Sequence, residues 1–337
     1  MNTDGFQSSS VRRVLVTGGS GFIGSHLTDQ LLARGDHVTV IDDLSTGRRS
    51  NLPEHHERLT FMHGDLGETL SRTARVCKFD EIYHLAAAVG VKLITDDPIG
   101  SIETNVEQTA ELLRFADSHG KPPVLLASSS EVYGKSAKLP FAESDDVVYG
   151  PTTVSRWSYA YSKAVDEYLG LAYAAKRGIP VVVARFFNTV GPRQVGEYGM
   201  VLPRFVERAL RNDAIEVHGD GEQSRCLCDV RDVARALPKM LSTRTCHGEV
   251  INTGSDERIS MLELARTVIA TLDSSSEIRM IPYERVYGSN FEDLRHRVPD
   301  LSKIRRLIGF TPEIPLRKTI LDLAAALTCG AGTGEHA

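Results

Sequence analysis

Two hydrophobic periods take turns along the first half of the chain. VLVTG, from Val14, is a short apolar run; GFIGSHLTDQLLARG spaces its apolar residues at three and four; HVTVIDD is an apolar run again. Short runs bounded by turn residues read as buried strands, and the longer spacing reads as an amphipathic helix. The three segments make a strand–helix–strand unit of roughly 30 residues. The rhythm returns in LTFMHGDL, EIYHLAA, NVEQTAELLRFADSHG, PVLLASS, SYAYSKAVDEY and PVVVARFFN. Strands alternating with helices predict an α/β fold with a doubly wound parallel sheet.

Beyond Asn188 the pattern loosens into short strands and helices separated by Gly- and Pro-rich loops. We read residues 11–188 as the large sheet domain, with a later segment near 226–254 returning to it, and 189–327 as mainly a smaller α/β domain. Small and polar residues at 1–10 and 328–337 suggest disordered tails. At 337 residues with a formal net charge of −5, the chain suggests no attraction to nucleic acid or anionic membrane. No apolar run approaches the roughly 20 residues of a spanning helix. Five scattered cysteines argue against a disulfide framework and for the cytoplasm, and no His/Cys set stands at metal spacing.

Candidate chemistry begins at TGGSGFIGSH, where Gly18, Gly21 and Gly24 lie between a strand and a helix. Such a turn lets backbone approach a diphosphate, which the helix N-terminus then stabilises. The expectation is a Rossmann-type dinucleotide site. Asp42 and Asp43, about 20 residues on, would accept hydrogen bonds from a ribose 2′-hydroxyl and repel a 2′-phosphate, favouring NAD over NADP. Arg48 and Arg49 nearby keep NADP as a minority reading. Asp65 would reach an adenine amino group or simply cap a helix.

In SYAYSKAVDEY, Tyr159 and Lys163 are four apart and share a helix face, while Tyr161 points elsewhere. An ammonium beside a phenol favours phenolate, so the pair is a candidate acid/base. LLASSSEVYG brings Ser129, Ser130 and Glu131 to the end of a strand, at the sheet edge where open α/β folds bind ligands.

With GGSGFIG, HLAA, SSSEVYG, YAYSK, RFFNTVGPRQ, GDGEQSR and RHRVPD in order, the chain from about Val14 to Pro315 resembles the extended short-chain dehydrogenase/reductases, the NAD-dependent nucleotide-sugar epimerases, dehydratases and decarboxylases. The resemblance implies catalytic roles for Ser129, Tyr159, Lys163 and Glu131. It implies cofactor contacts at Gly18, Gly21, Phe22, Ile23, Gly24, Asp42, Asp43, Asp65, Leu66, Leu85, Ala86, Ala87, Asn105, Tyr159 and Lys163. Substrate contacts would come from Ser129, Ser130, Asn188, Arg193, Leu202, Val217, Arg225 and Arg295.

Tyr159 would take the O4 proton of a nucleotide sugar, most simply a UDP-sugar, while hydride leaves C4. Return of hydride to the other face makes a 4-epimerase, the reading we take first. A UDP-glucuronate decarboxylase is the rival: the Ser129–Ser130–Glu131 run suits it, and Arg297 is the one candidate carboxylate clamp. A 4,6-dehydratase and a non-catalytic dinucleotide-binding protein are lesser readings. A homodimer is implied by resemblance alone.

Overall fold

The computed structural model describes residues 11–73, 78–88, 97–196, 200–282, 285 and 296–331. Its first strands and helices run β1 (Arg13–Thr17), α1 (Phe22–Ala33), β2 (His37–Asp42), β3 (Leu59–His63), α2 (Leu66–Thr73), β4 (Glu81–His84), α3 (Pro98–Ser118), β5 (Val124–Ser129), α4 (Ser158–Arg177) and β6 (Val181–Phe186). There follow β7 (Thr189–Val190), α5 (Val201–Leu210), β8 (Ile215–His218), β9 (Ser224–Cys226), β10 (Cys228–Asp229), α6 (Val230–Ser242) and β11 (Glu249–Thr253). The last are β12 (Arg258–Ser260), α7 (Met261–Leu272), β13 (Ile278–Ile281), α8 (Ser302–Ile308) and α9 (Leu316–Ala331).

Seven parallel strands form the main sheet in the order β11-β6-β5-β4-β1-β2-β3. The order reverses between β1 and β4. That crevice, beyond the carboxyl ends of the strands, is where doubly wound sheets bind ligands. The sheet's two faces explain the unbroken apolar runs: Val14 and Val16 join a core with Leu27 and Leu31 of α1, Val233 and Leu237 of α6 and Ile304 of α8. Leu15, pointing the opposite way, packs with Leu112 and Leu113 of α3 and with Val181 and Val183. A strand buried on both faces has no polar side to show.

A third core, built from Leu202, Phe205 and Val206 of α5, Leu264 and Val268 of α7, and Ile320 and Leu323 of α9, underlies the smaller layer. Three two-stranded pairings, β7 with β10, β8 with β13 and β9 with β12, belong to this half. Between them the chain returns to the main sheet: α6 lies against α1, and β11 pairs with β6. The segment near 226–254 thus contributes to the large sheet.

At the C-terminus, α9 continues to Ala331, so residues 328–331, expected in a disordered tail, are helical. Thr328 donates its hydroxyl to the Ala324 carbonyl. Each added residue of an existing helix gains a hydrogen bond without a new nucleus, which carries the helix past the apolar LAAAL stretch.

Candidate active site

The end of β1 and the start of α1 meet at the glycine turn. A Cβ on Gly24 would stand 2.1 Å from the Gly18 carbonyl oxygen and 2.8 Å from the Gly19 Cα, so only glycine lets helix and turn approach this closely. Among the described residues no side chain caps α1, and its first turn holds no acidic residue. By contrast Asp97 caps α3 and Ser260 caps α7. The uncapped N–H groups of Phe22, Ile23 and Gly24 are donors left for an anion at the wall of a large cavity. The Cβ-free cradle and this open helix end fit a dinucleotide diphosphate.

That cavity has a volume of about 1090 Å³ and runs from the glycine turn to the smaller layer. Gly18, Gly21, Phe22, Ile23, Gly24, Asp42, Asp43, Leu66, Leu85, Ala86 and Ala87 line one end. Asp42 is buried and accepts from the backbone N–H of Ser20 at 2.8 Å and of Leu44 at 2.9 Å. Burial raises its pKa and these two N–H groups lower it again. Asp42 therefore ties the glycine turn to the end of β2. Asp43 is exposed and accepts from Ser45.

At the middle of the cavity stand Ser129, Ser130, Glu131, Tyr159 and Lys163. Ser129 ends β5, where its Oγ accepts from the Glu131 N–H at 3.2 Å and shares a hydrogen bond with the Tyr159 phenol. Burial, followed by the Glu131 charge, raises the Tyr159 pKa; the Ser129 hydrogen bond lowers it. Tyr161, two positions on, points away, is 38% exposed and rests on Tyr149 with ring centroids 4.3 Å apart. Lys163 donates to the Asp166 carboxylate at 2.7 Å.

Glu131 is held by two arginines. The Arg297 Nη1 lies 2.5 Å from its Oε1, and the Arg156 Nη1 lies 2.8 Å from its Oε2. Burial acts to raise the carboxyl, but Arg297 and then Arg156 outweigh it and hold the pKa down to about 2. Glu131 is an ionised carboxylate at neutral pH. One carboxylate between two guanidiniums leaves a cation in excess.

Asn188, Arg193, Leu202 and Arg225 line the far end with Gln194, Arg204 and Gln223. Asn188 Oδ1, Gln194 Oε1 and Gln223 Oε1 are buried and find no hydrogen-bond partner among the described residues. An unsatisfied buried acceptor costs about 1–3 kcal/mol, a penalty that a bound donor removes. Arg193 also pairs with Asp29 of α1 at 2.8 Å, joining the loop after β7 to α1.

Three expected contacts fall elsewhere. Asp65 accepts from the N–H groups of Gly67 and Glu68 and so caps α2, while its neighbours Gly64 and Leu66 line the cavity. Val217 lies in the third core, because side chains alternate along β8 and it is Glu216 and His218 that line the cavity. Asn105 is buried behind the site, accepting from the Ala88 N–H at 2.9 Å and donating to Ser162 at 3.2 Å. Arg295 lies outside the described residues; Arg297, two positions on, lines the cavity.

Sequence reasoning passed over Arg156, Asp166 and the His84 link. His84, from HLAA, bridges Thr17 at 2.7 Å and Thr109 at 3.3 Å, and burial with the Lys163 charge lowers its pKa to about 3. Arg156 stands one helical turn before Tyr159 and Asp166 one turn after Lys163, spacings that carried a legible signal.

The chain is similar to known proteins over most of its length. The chain is 40% identical over 308 residues to the UDP-N-acetyl-alpha-D-glucosaminuronate decarboxylase of Bacillus cytotoxicus, covering 90% of this chain and 94% of that protein. It is 37% identical over 311 residues to UDP-glucuronic acid decarboxylase 4 of Arabidopsis thaliana, covering 91% of this chain and 67% of that protein. Among solved structures, an epimerase of Methanothermobacter thermautotrophicus superimposes with a TM-score of 0.87 at 28% identity, covering 96% of this chain and 94% of that one. Residues 14–254 match the NAD dependent epimerase/dehydratase family, and with a cavity that fits the dinucleotide the chain belongs to that family and takes NAD as its cofactor.

Proposed function

We propose that this protein is an NAD-dependent decarboxylase of a UDP-linked hexuronate. The observation that carries the reading is Glu131 held between Arg156 and Arg297 at the cavity wall, beside Ser129 and Tyr159. Relatives at 40% and 37% identity bear decarboxylase names, while the epimerase likeness is at 28%. This reverses the order of the two reactions expected from the motifs alone.

Bound NAD would accept hydride from C4 of the sugar and later return it. Tyr159, coupled to Ser129, takes the O4 proton as C4 is oxidised. The C5 carboxylate is then β to a ketone, and its C–C bond breaks with the electron pair moving to O4. Ser129 and Tyr159 donate to that oxygen as its charge grows, the role of an oxyanion site. Arg156 and Arg297 orient the carboxylate before it leaves. Glu131 faces it as a like charge, a repulsion that loss of CO2 relieves. C5 and O4 are reprotonated and a UDP-pentose leaves.

The 4-epimerase shares the first step and is the second reading, supported by the likeness to the Methanothermobacter epimerase. Uridine as the base, and a homodimer, are part of the proposal. Exposed Tyr161, Val165 and Tyr168 on α4, with exposed Ile99 and Ile102 on the neighbouring α3, offer apolar surface for self-association. Incubating the protein with UDP-glucuronate, UDP-N-acetylglucosaminuronate and UDP-glucose separately, with product mass and NMR as readouts, tests the reaction. Loss of the mass of CO2 is expected from a uronate; unchanged mass with inverted C4 would replace the decarboxylase by the epimerase.

A further inference from the structure

We propose that Asp166 is a positioning residue that holds Lys163 and tempers its charge, and so sets how readily Tyr159 gives up and regains its proton. The inference rests on the assignment of Tyr159 as acid/base and not on the fate of the sugar. Lys163 Nζ and Asp166 Oδ2 are 2.7 Å apart, with side chains 4% and 3% exposed. Both lie one helical turn along α4 from Tyr159 or from each other, and Tyr159 and Lys163 both line the cavity.

A buried ion pair is a poor source of stability, because desolvating two charges offsets their attraction. An apolar residue at 166 would serve a helix that had no need of a buried ammonium. Here the ammonium stands at the cavity, and among the described residues a single carboxylate answers it.

The surrounding charges single out this pair. Glu167, next on α4, is engaged by Arg185 of β6 through two hydrogen bonds at 2.8 and 2.7 Å. Glu131, after β5, is engaged by Arg156 and Arg297. His84 of β4 is kept neutral by burial and Lys163. Burial raises the Asp166 pKa, against Lys163 and then Thr109 of α3, an uncharged hydroxyl that also bonds His84. Glu131 and Asp166 are the two carboxylates whose charges act on Tyr159, and Asp166 is the one that holds Lys163. An ammonium with no carboxylate on it favours phenolate, the form suited to taking the O4 proton and unsuited to donating to O4 afterwards. The Asp166 carboxylate moves the balance back toward phenol, and Asp166 itself raises the Tyr159 pKa.

The test is a near-ultraviolet titration of the Tyr159 phenolate in NAD-loaded protein, taken as the difference between each protein and its Tyr159→Phe counterpart. Asp166→Asn keeps an acceptor for Lys163 and removes the charge, and should lower the Tyr159 midpoint by roughly one pH unit or more, the scale of a neighbouring charge. Asp166→Glu should leave the midpoint near that of the native protein. Asp166→Ser removes the same charge with a smaller group and reads the same midpoint if the amide does not fold. An unmoved midpoint in the neutral variants, or an equal shift in Asp166→Glu, would overturn the inference. No sugar is present, so a midpoint that moves in a protein releasing no CO2 would sink the proposed reaction and leave Asp166's role standing.

Discussion

Arg297 meets Glu131 at 2.5 Å, although the two are far apart in sequence and Arg297 stands beyond the last strand of the smaller layer. The contact joins the end of β5 to a segment that bridges Ser224 of β9 through His296. It places an arginine from the C-terminal half over a carboxylate from the large sheet.

A pH dependence of stability follows. The Glu131 carboxyl is held near 2 against an ordinary value of 4.5. A depressed carboxyl stabilises the fold above its unfolded value and loses that contribution as pH falls through its folded value. Stability should therefore decline between about pH 4.5 and 2 by an amount on the order of 3 kcal/mol from this group. Denaturant midpoints of Glu131→Gln across the same range should fall less steeply, the two curves converging at low pH. Parallel curves would remove Glu131 from the account.

Kinetics should separate the arginines from the fold. Arg297→Met and Arg156→Met each remove a charge-assisted hydrogen bond worth about 1.5–3 kcal/mol, or roughly ten- to hundredfold in rate. We expect that loss in kcat/KM for a UDP-hexuronate, with NAD content unchanged. Equal loss on a sugar lacking the carboxylate would show that the arginines only support Glu131.

Tyr159→Phe should reduce turnover by about 10²–10⁴-fold, the usual weight of general acid–base catalysis. NAD should remain bound, since the glycine turn and the end of β2 are untouched. Rapid-quench and cofactor-content assays read both outcomes, and substantial residual turnover would take the acid/base role from Tyr159.

Two glycines should behave differently. Gly24→Ala drives a methyl group into the Gly18 carbonyl and should cost most of the NAD affinity, measured by calorimetry. Gly178 closes α4 at φ +71 with no heavy atom of the described residues near its absent Cβ. Gly178→Ala should cost about 1 kcal/mol of stability and leave NAD binding alone.

The βαβ rhythm, the glycine turn and the Tyr159–Lys163 face were legible because strand and helix periods and a four-residue spacing are local. Residues on one element could be placed, and the first cavity end followed. Val217 shows the limit within a single strand: an apolar residue in a short strand can face core or cavity, and only packing against α5 and α7 chose the core. Asp65 shows another, since a carboxylate before a helix serves a cap or a ligand equally well until the helix is seen.

By itself the sequence determined the sheet, the glycine turn and the Tyr159–Lys163 spacing, each written in contiguous residues. Only the tertiary structure decided that Arg156, Glu131 and Arg297 form one cluster and that the Lys163–Asp166 pair, local in sequence, is buried. Long-range charge pairs carry no period, and the burial that gives them their strength exists only once separate elements have closed around them.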